Sequence, residues 1–151
     1  MKKISILVSL LLSVGLSFSQ VGINTATPLS TLDINGNMSV KVVNLTGNST
    51  TVPTDISDGY YISITPTVND AIFRLPSAIT FPGRMYIIRN VSNTLTADLT
   101  SAGGQLFYKS TTGQVNGTND IVYMNGTFPP AADKARSVIV ISDGANWTVF
   151  N

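Results

Sequence analysis

Apolar residues in this chain come in short runs, punctuated by glycine, asparagine, aspartate and proline. Runs rich in Val, Ile, Tyr, Phe and Thr lie at 40–45, 60–65, 71–75, 85–90, 95–100, 105–109, 121–124, 137–142 and 147–150. These residue types suit a pleated, half-buried surface, and their recurrence at even spacing predicts strands throughout. The expected fold is all-β: an antiparallel β-sandwich or barrel-like domain of about nine short strands. Beyond the first twenty residues no 3.6-residue periodicity is sustained over helical length.

The punctuation supports strands joined by tight turns. Asn35-Gly36, Asp58-Gly59, Asn116-Gly117, Asn125-Gly126 and Asp143-Gly144 all pair residues that tolerate positive φ. The last of these predicts a terminal hairpin between 137–142 and 147–150. Pro76 and Pro82-Gly83 bracket a loop between the third and fourth strands.

Alternation within the runs assigns faces. Leu95, Ala97 and Leu99 interleave with Thr94, Thr96, Asp98 and Thr100, which predicts a strand with one wet face. Val138-Ile139-Val140-Ile141, Tyr86-Ile87-Ile88 and Ile121-Val122-Tyr123-Met124 do not alternate and are expected to be covered on both sides. Two structures satisfy that pattern equally: a second apolar surface at a subunit interface, or a well-filled monomeric core.

The first residues have a different character. Met1-Lys2-Lys3 is followed by an apolar run over 4–16 and by Ser17-Phe18-Ser19, the layout of a secretory signal peptide cut before Gln20. The run is too short to span a bilayer, which takes about 20 apolar residues. The expected organisation is a signal peptide at 1–19, an extended junction at 20–37 and the all-β domain at 38–151. Export follows, with the protein secreted or associated with the cell surface, or resident in the periplasm.

Composition then narrows the chemistry. Loss of Lys2 and Lys3 leaves seven basic residues against eight acidic ones, a net charge near −1. Such a balance offers no electrostatic footprint for nucleic acid or an anionic membrane. With no cysteine, the chain can carry neither a disulfide nor a lipid thioether. A small domain without staples gains stability by association, so a homo-oligomer is expected. Histidine and glutamate are absent too, which removes Ser-His-Asp hydrolysis, zinc hydrolases and di-iron sites. Asp55 and Asp58 are close in sequence but read as turn residues. No enzyme activity, cofactor or metal is expected.

Two binding patterns remain. Asp33-x-Asn35-x-Asn37 copies the opening of a calcium loop, but Met38 stands where Gly is needed and Asn44 where Glu is needed. Sugar sites combine an aromatic platform with Asn, Asp and Thr on loops. Tyr60 and Tyr61 are the candidate ligand-binding residues, because neighbouring strand residues face opposite ways and one ring should be exposed or lie at an interface. Trp147, the sole tryptophan, fits a core anchor better than a platform. Sequons such as Asn44-Leu45-Thr46 read as turn and strand chemistry.

The junction carries a resemblance. Gly22-Ile23-Asn24-Thr25, Thr27-Pro28 and Leu32-Asp33-Ile34-Asn35-Gly36 resemble a motif of exported Bacteroidota proteins and related phage tail-fibre-like proteins. Phe73-Arg74-Leu75-Pro76-Ser77, 83–90 and 141–147 are similar to a β-module of fibre and surface proteins. The resemblance implies a non-enzymatic, frequently trimeric part of a fibre or surface structure that binds cells, glycans, proteins or its own kind. The chain has no long repetitive shaft, so a knob or cap is the part implied. By residue type, Thr27-Pro28 favours an extended path, Leu32 and Ile34 can be buried on one side of a short strand, and Asn35-Gly36 turns the chain. The sequence thus points to an exported, self-associating structural or adhesion module, with a soluble glycan-binding β-sandwich as the alternative.

Overall fold

The computed structural model describes residues 21–110, 113–114, 122–124 and 136–150. The expected signal peptide, Gln20 and the turns at Asn116-Gly117 and Asn125-Gly126 lie outside the described residues, as do the side chains of Tyr108 and Tyr123. Strands and one 3-10 turn make up the regular structure of the described residues, so the protein is all-β. These residues form two compact units, one ending at Ser39 and the other starting at Val40.

The first unit holds β1 (Val21–Ile23) and β2 (Leu32–Ile34), paired in parallel from Val21↔Leu32 to Ile23↔Ile34. Leu32 is half-exposed within this chain, so the expected burial of Leu32 beside Ile34 does not occur here: a two-stranded ribbon has no second layer to cover it.

The second unit contains β3 (Val42–Gly47), β4 (Thr54–Asp55), β5 (Tyr61–Pro66), β6 (Ala71–Leu75), β7 (Met85–Asn90) and β8 (Ala97–Ser101). It continues with β9 (Leu106–Ser110), β10 (Gly113–Gln114), β11 (Val122–Met124), β12 (Ser137–Ser142) and β13 (Trp147–Phe150). A seven-stranded sheet has the order β10-β9-β13-β12-β7-β5-β3, and a four-stranded sheet has the order β11-β8-β6-β4.

The pairing corrects the antiparallel expectation. Among the described strands six pairings are parallel and four antiparallel. From β3 to β8 the chain does not fold back on itself; each strand crosses to the other sheet, so every second strand runs alongside its predecessor. Val42 pairs with Tyr61 and Thr54 with Phe73, nineteen positions on in both sheets. Tyr61 then pairs with Ile87 and Ala71 with Ala97, twenty-six positions on in both. The chain is therefore wound as a coil of three turns. Within it, the outward crossing keeps a constant length, because Val42, Tyr61 and Ile87 in one row each precede their counterparts Thr54, Phe73 and Leu99 by twelve residues. Only the return crossing varies.

The turn dipeptides serve this winding. Asp58-Gly59 lies between β4 and β5, on a return crossing, where Gly59 has φ +89° and a Cβ would fall 2.6 Å from Val43 Cγ2. The longer return crossing, after β6, contains the 3-10 turn Ala78–Thr80. The terminal segment forms the expected hairpin: β12 and β13 pair antiparallel, and Asp143 Oδ1 accepts the Ala145 and Asn146 amides at 2.7 Å each to fix the loop.

Both sheets give one face to a common core. Ile62, Ile64, Tyr86, Ile88, Leu106, Val138, Val140, Trp147 and Val149 come from the larger sheet, and Ala71, Phe73, Leu75, Ala97, Leu99 and Met124 from the smaller. Trp147 is fully buried, its ring 5.8 Å from that of Tyr86 and its Nε1–H donating to the Pro76 carbonyl at 3.0 Å. It is the core anchor its position suggests. Asn90, also fully buried, donates from Nδ2 to the Leu95 and Met124 carbonyls and accepts the Ser92 amide on Oδ1. Two strand assignments need correction. Asp98 is only 5% exposed, whereas Thr94 is exposed and Thr96 and Thr100 are half-buried, so the expected wet face holds except at Asp98. Asp55 is a strand residue whose carboxylate holds Arg74 at 2.7 and 3.1 Å.

Candidate assembly face and junction clip

The junction residues converge on one small clip. Gly22 lies where a Cβ would sit 2.5 Å from the Thr25 carbonyl oxygen and 2.9 Å from Pro28 Cγ, so only glycine lets the loop close over β1. Asn24 adopts φ +58° and donates from Nδ2 to the Asn35 carbonyl at 3.0 Å. The Asn35 amide donates back to the Ile23 carbonyl at 3.0 Å, and the Val21 amide to that of Thr31 at 2.8 Å. Asp33 Oδ2 accepts the Leu29 amide at 2.9 Å. Gly22, Ile23, Asn24, Thr27, Pro28, Leu32, Asp33 and Asn35 therefore build or flank a local loop between two parallel strands, and Gly36 follows it in open space. The Asp33 carboxylate takes part in this backbone network. Among the described residues no group of three or more acidic side chains gathers where a metal ion would bind.

The other feature is the face of the larger sheet turned away from the core. Alternation along β7 buries Tyr86, Ile88 and Asn90 and leaves Met85, Ile87 and Arg89 outside; β12 buries Val138 and Val140 and leaves Ser137, Ile139 and Ile141 outside. Register places the outward residues in three rows across the strands. The central row is Val42, Tyr61, Ile87, Ile139 and Phe150, each paired with the next. A second row runs Met85, Ile141, Thr148, Phe107, and a third Asn44, Ser63, Arg89, Ser137. Val42 is 58% exposed, Phe150 51% and Ile139 39%. A hollow of about 350 Å³ opens on this face between Ile87, Ser137, Val138, Ile139 and Phe150.

The candidate ligand-binding tyrosines both lie on this side. Tyr61 occupies the central row between Val42 and Ile87. Tyr60 precedes β5, and its hydroxyl donates to Met85 Sδ at 3.1 Å. They do not face opposite ways, because the Tyr60 and Tyr61 amides both donate to the Lys41 carbonyl, at 2.9 and 3.1 Å, which interrupts the alternation. The sequence shows this face only as strands without alternation; the row itself depends on register.

Charge is sparse here. Arg89 is the one ionised group among the described side chains of the three rows, and Lys109 takes the next register position beyond Phe150 on β9. The ordered ion pairs lie elsewhere, between Lys41 and Asp58 and between Arg74 and Asp55. The Lys41 ammonium, helped by the Gly59 amide, holds the Asp58 carboxyl below its ordinary range; the Arg74 guanidinium does the same for Asp55. Among the described residues no helix is long and apolar enough to cross a membrane. No family model, curated protein or solved structure matches this chain.

Proposed function

We propose that this chain is an exported, non-enzymatic structural or adhesion module that assembles with other molecules through the outer face of its larger sheet. The observation that carries this is the central row. Five apolar or aromatic side chains from five strands align on the face of this sheet turned away from its own core. Soluble monomers rarely keep contiguous apolar patches above a few hundred Å² unless the patch is functional. The two sheets, stacked on a common core as a coiled β-sandwich, hold that face rigid.

The composition supports a role in assembly over catalysis, since the chain offers no histidine, cysteine or glutamate for proton transfer or nucleophilic attack. The junction clip, closed by its own backbone bonds, suits a fixed element at the start of the mature chain. The test is expression with the native N-terminus, recovery of the exported protein, and light scattering across a wide concentration range. Recovery outside the cytoplasm as a defined assembly supports the proposal; retention in the cytoplasm, or a strict monomer with no binding partner at its surface, refutes it.

A further inference from the structure

We infer that Asn35 is a site of self-modification. The Gly36 backbone nitrogen attacks the Asn35 side-chain amide, ammonia leaves, and water opens the cyclic imide to isoaspartate, with the Asn24 amide assisting from across the junction clip. Three observations lead there.

The first is a glycine without a structural reason. Close approach of other atoms explains Gly22, and close approach with positive φ explains Gly59. At Gly36 a Cβ would meet nothing within 4 Å, and its φ is not positive. The backbone there would accept a side chain. What glycine alone leaves open is its own nitrogen, which no Cβ shields from the Asn35 amide carbon.

The second is the freedom of the two reacting groups. Asn35 and Gly36 are both exposed. The Asn35 main chain is tied at both ends, its amide to the Ile23 carbonyl and its carbonyl to Asn24. Among the described residues neither its side-chain amide nor the Gly36 amide makes a hydrogen bond. An asparagine side chain without another partner turns onto the backbone beside it. The side-chain oxygens of Asn69, Asn90 and Asn146, by contrast, each accept a backbone amide.

The third is the donor at Asn24. The Asn35 carbonyl and the Gly36 nitrogen belong to one resonant peptide group. When that nitrogen loses its proton, the charge moves largely onto the carbonyl oxygen, to which Asn24 Nδ2 donates at 3.0 Å. A donor already aimed at a developing oxyanion lowers the cost of forming it. Asn24 is set in place by its φ of +58°, a conformation asparagine tolerates.

Hydroxide takes the Gly36 proton, since Asp33 Oδ2 is occupied by the Leu29 amide. The nitrogen forms a bond to Asn35 Cγ, the Cγ–Nδ2 bond breaks, and ammonia departs with a proton from water. Water then adds to the main-chain carbonyl carbon of the imide, which Asn24 polarises, and the bond from that carbon to the Gly36 nitrogen breaks. Overall one amide and one water become one carboxylate and ammonium. The main chain now runs through Cγ, and the former carbonyl is a carboxylate facing the Asn24 amide. That charge-assisted hydrogen bond favours isoaspartate over aspartate. The connection between the clip and the unit starting at Val40 grows by one methylene.

The experiment uses the full chain, exported under its native signal and incubated at mildly alkaline pH. Digestion at acid pH and peptide mapping by mass spectrometry follow, with isoaspartate read by enzymatic methylation. Three variants are compared with the parent. Gly36→Ala shields the nitrogen, Asn24→Gly keeps the positive φ without the donor, and Asn24→Asp keeps the size but offers only acceptors. Asn35 should convert to isoaspartate faster than Asn37, which is likewise exposed but precedes Met38. Gly36→Ala should slow this several-fold with an unchanged thermal melt. Asn24→Gly should slow it by about threefold to tenfold, the net worth of one hydrogen bond in solvent, and Asn24→Asp by more. An Asn35 that keeps its amide, or converts no faster than Asn37, overturns the modification. Conversion at the parent rate or faster in both Asn24 variants overturns the part given to Asn24. A chain cut between Asn35 and Gly36 overturns the direction of attack, because the side-chain nitrogen would then have attacked the main-chain carbonyl.

Discussion

Asn90 offers the sharpest test of how the core is held. Its amide is fully buried at the end of β7, and two carbonyl oxygens within 3.0 Å, those of Leu95 and Met124, fix which side carries the nitrogen. The side-chain oxygen accepts the Ser92 amide at 3.0 Å. Arg136 closes the same knot from outside, donating from Nε to the Asn90 carbonyl at 3.1 Å and from Nη2 to that of Ser92 at 2.9 Å. One side chain thus satisfies three backbone groups on two segments, the loop after β7 and strand β11. Asn90→Ala leaves all three without that partner; stranding the buried Met124 carbonyl costs about 1–3 kcal/mol, and losing each of the two part-buried bonds about 0.5–1.5 kcal/mol. Even at the low end the loss is roughly 2 kcal/mol, a large share of the about 5–15 kcal/mol that holds a domain together. Urea unfolding followed by circular dichroism reads this directly. With a slope of about 1.5 kcal/mol per molar, the midpoint should fall by at least about 1 M. Asn90→Asp should be worse at pH 7, because a carboxylate would face two carbonyl oxygens. Burial and that repulsion raise its folded pKa above the unfolded value, so the extra penalty shrinks as pH falls from 7 toward 5. A loss below about 0.5 kcal/mol for Asn90→Ala, or an Asp variant no worse than the Ala variant at pH 7, would refute the reasoning.

Two further outcomes are expected. Gly22→Ala should open the junction loop, since the added methyl meets the Thr25 carbonyl and Pro28; limited proteolysis should cut within 24–31 faster while the main melting transition, belonging to the unit that starts at Val40, stays in place. Unchanged cleavage would mean the loop accommodates the methyl. Acid should destabilise the protein in a narrow window. Asp58, Asp55 and Asp143 are all held below the ordinary carboxyl value of 3.8, by Lys41, by Arg74 and by the Asn146 and Ala145 amides respectively. Groups with lowered folded pKa contribute stability above the unfolded value and lose it as pH falls through the folded one. Thermal melts should be flat above pH about 5 and decline below about 4, and Asp143→Asn should flatten part of that decline. An equal decline in that variant would place the acid sensitivity elsewhere.

The strands were legible because face alternation and turn residues are local. Ala71–Leu75, Met85–Asn90, Ser137–Ser142 and Trp147–Phe150 fall where the apolar runs place them. Partner choice was not legible. Ile62 and Ile64 alternate with Tyr61, Ser63 and Thr65 whether the next strand lies beside β5 or across the core, and the same Asp-Gly pair serves a hairpin or a crossing. The two-residue β4 is too short to leave a pattern. The outward row shows the same limit: the sequence gives up its members as strands without alternation, but only register brings Val42 and Phe150 into one line. The junction motif names its residues clearly, yet the reason for Gly22 is a contact with a loop that closes three to six residues later.

The coil's unequal turns have a practical consequence for altering this protein. Seven residues separate Thr54 from Tyr61 on one return crossing and fourteen separate Phe73 from Ile87 on the next, yet both ladders stay in step. Length is therefore negotiable at that corner, whereas one residue inserted within a paired strand would turn the following side chains of that strand to the other face. Pro76, Ala78 and Gly83 are tied by bonds to Trp147 and Ser142, but Ile79 and Thr80 between them are exposed. An epitope or affinity peptide spliced between those two residues would enter a crossing whose length already differs from one turn of the coil to the next.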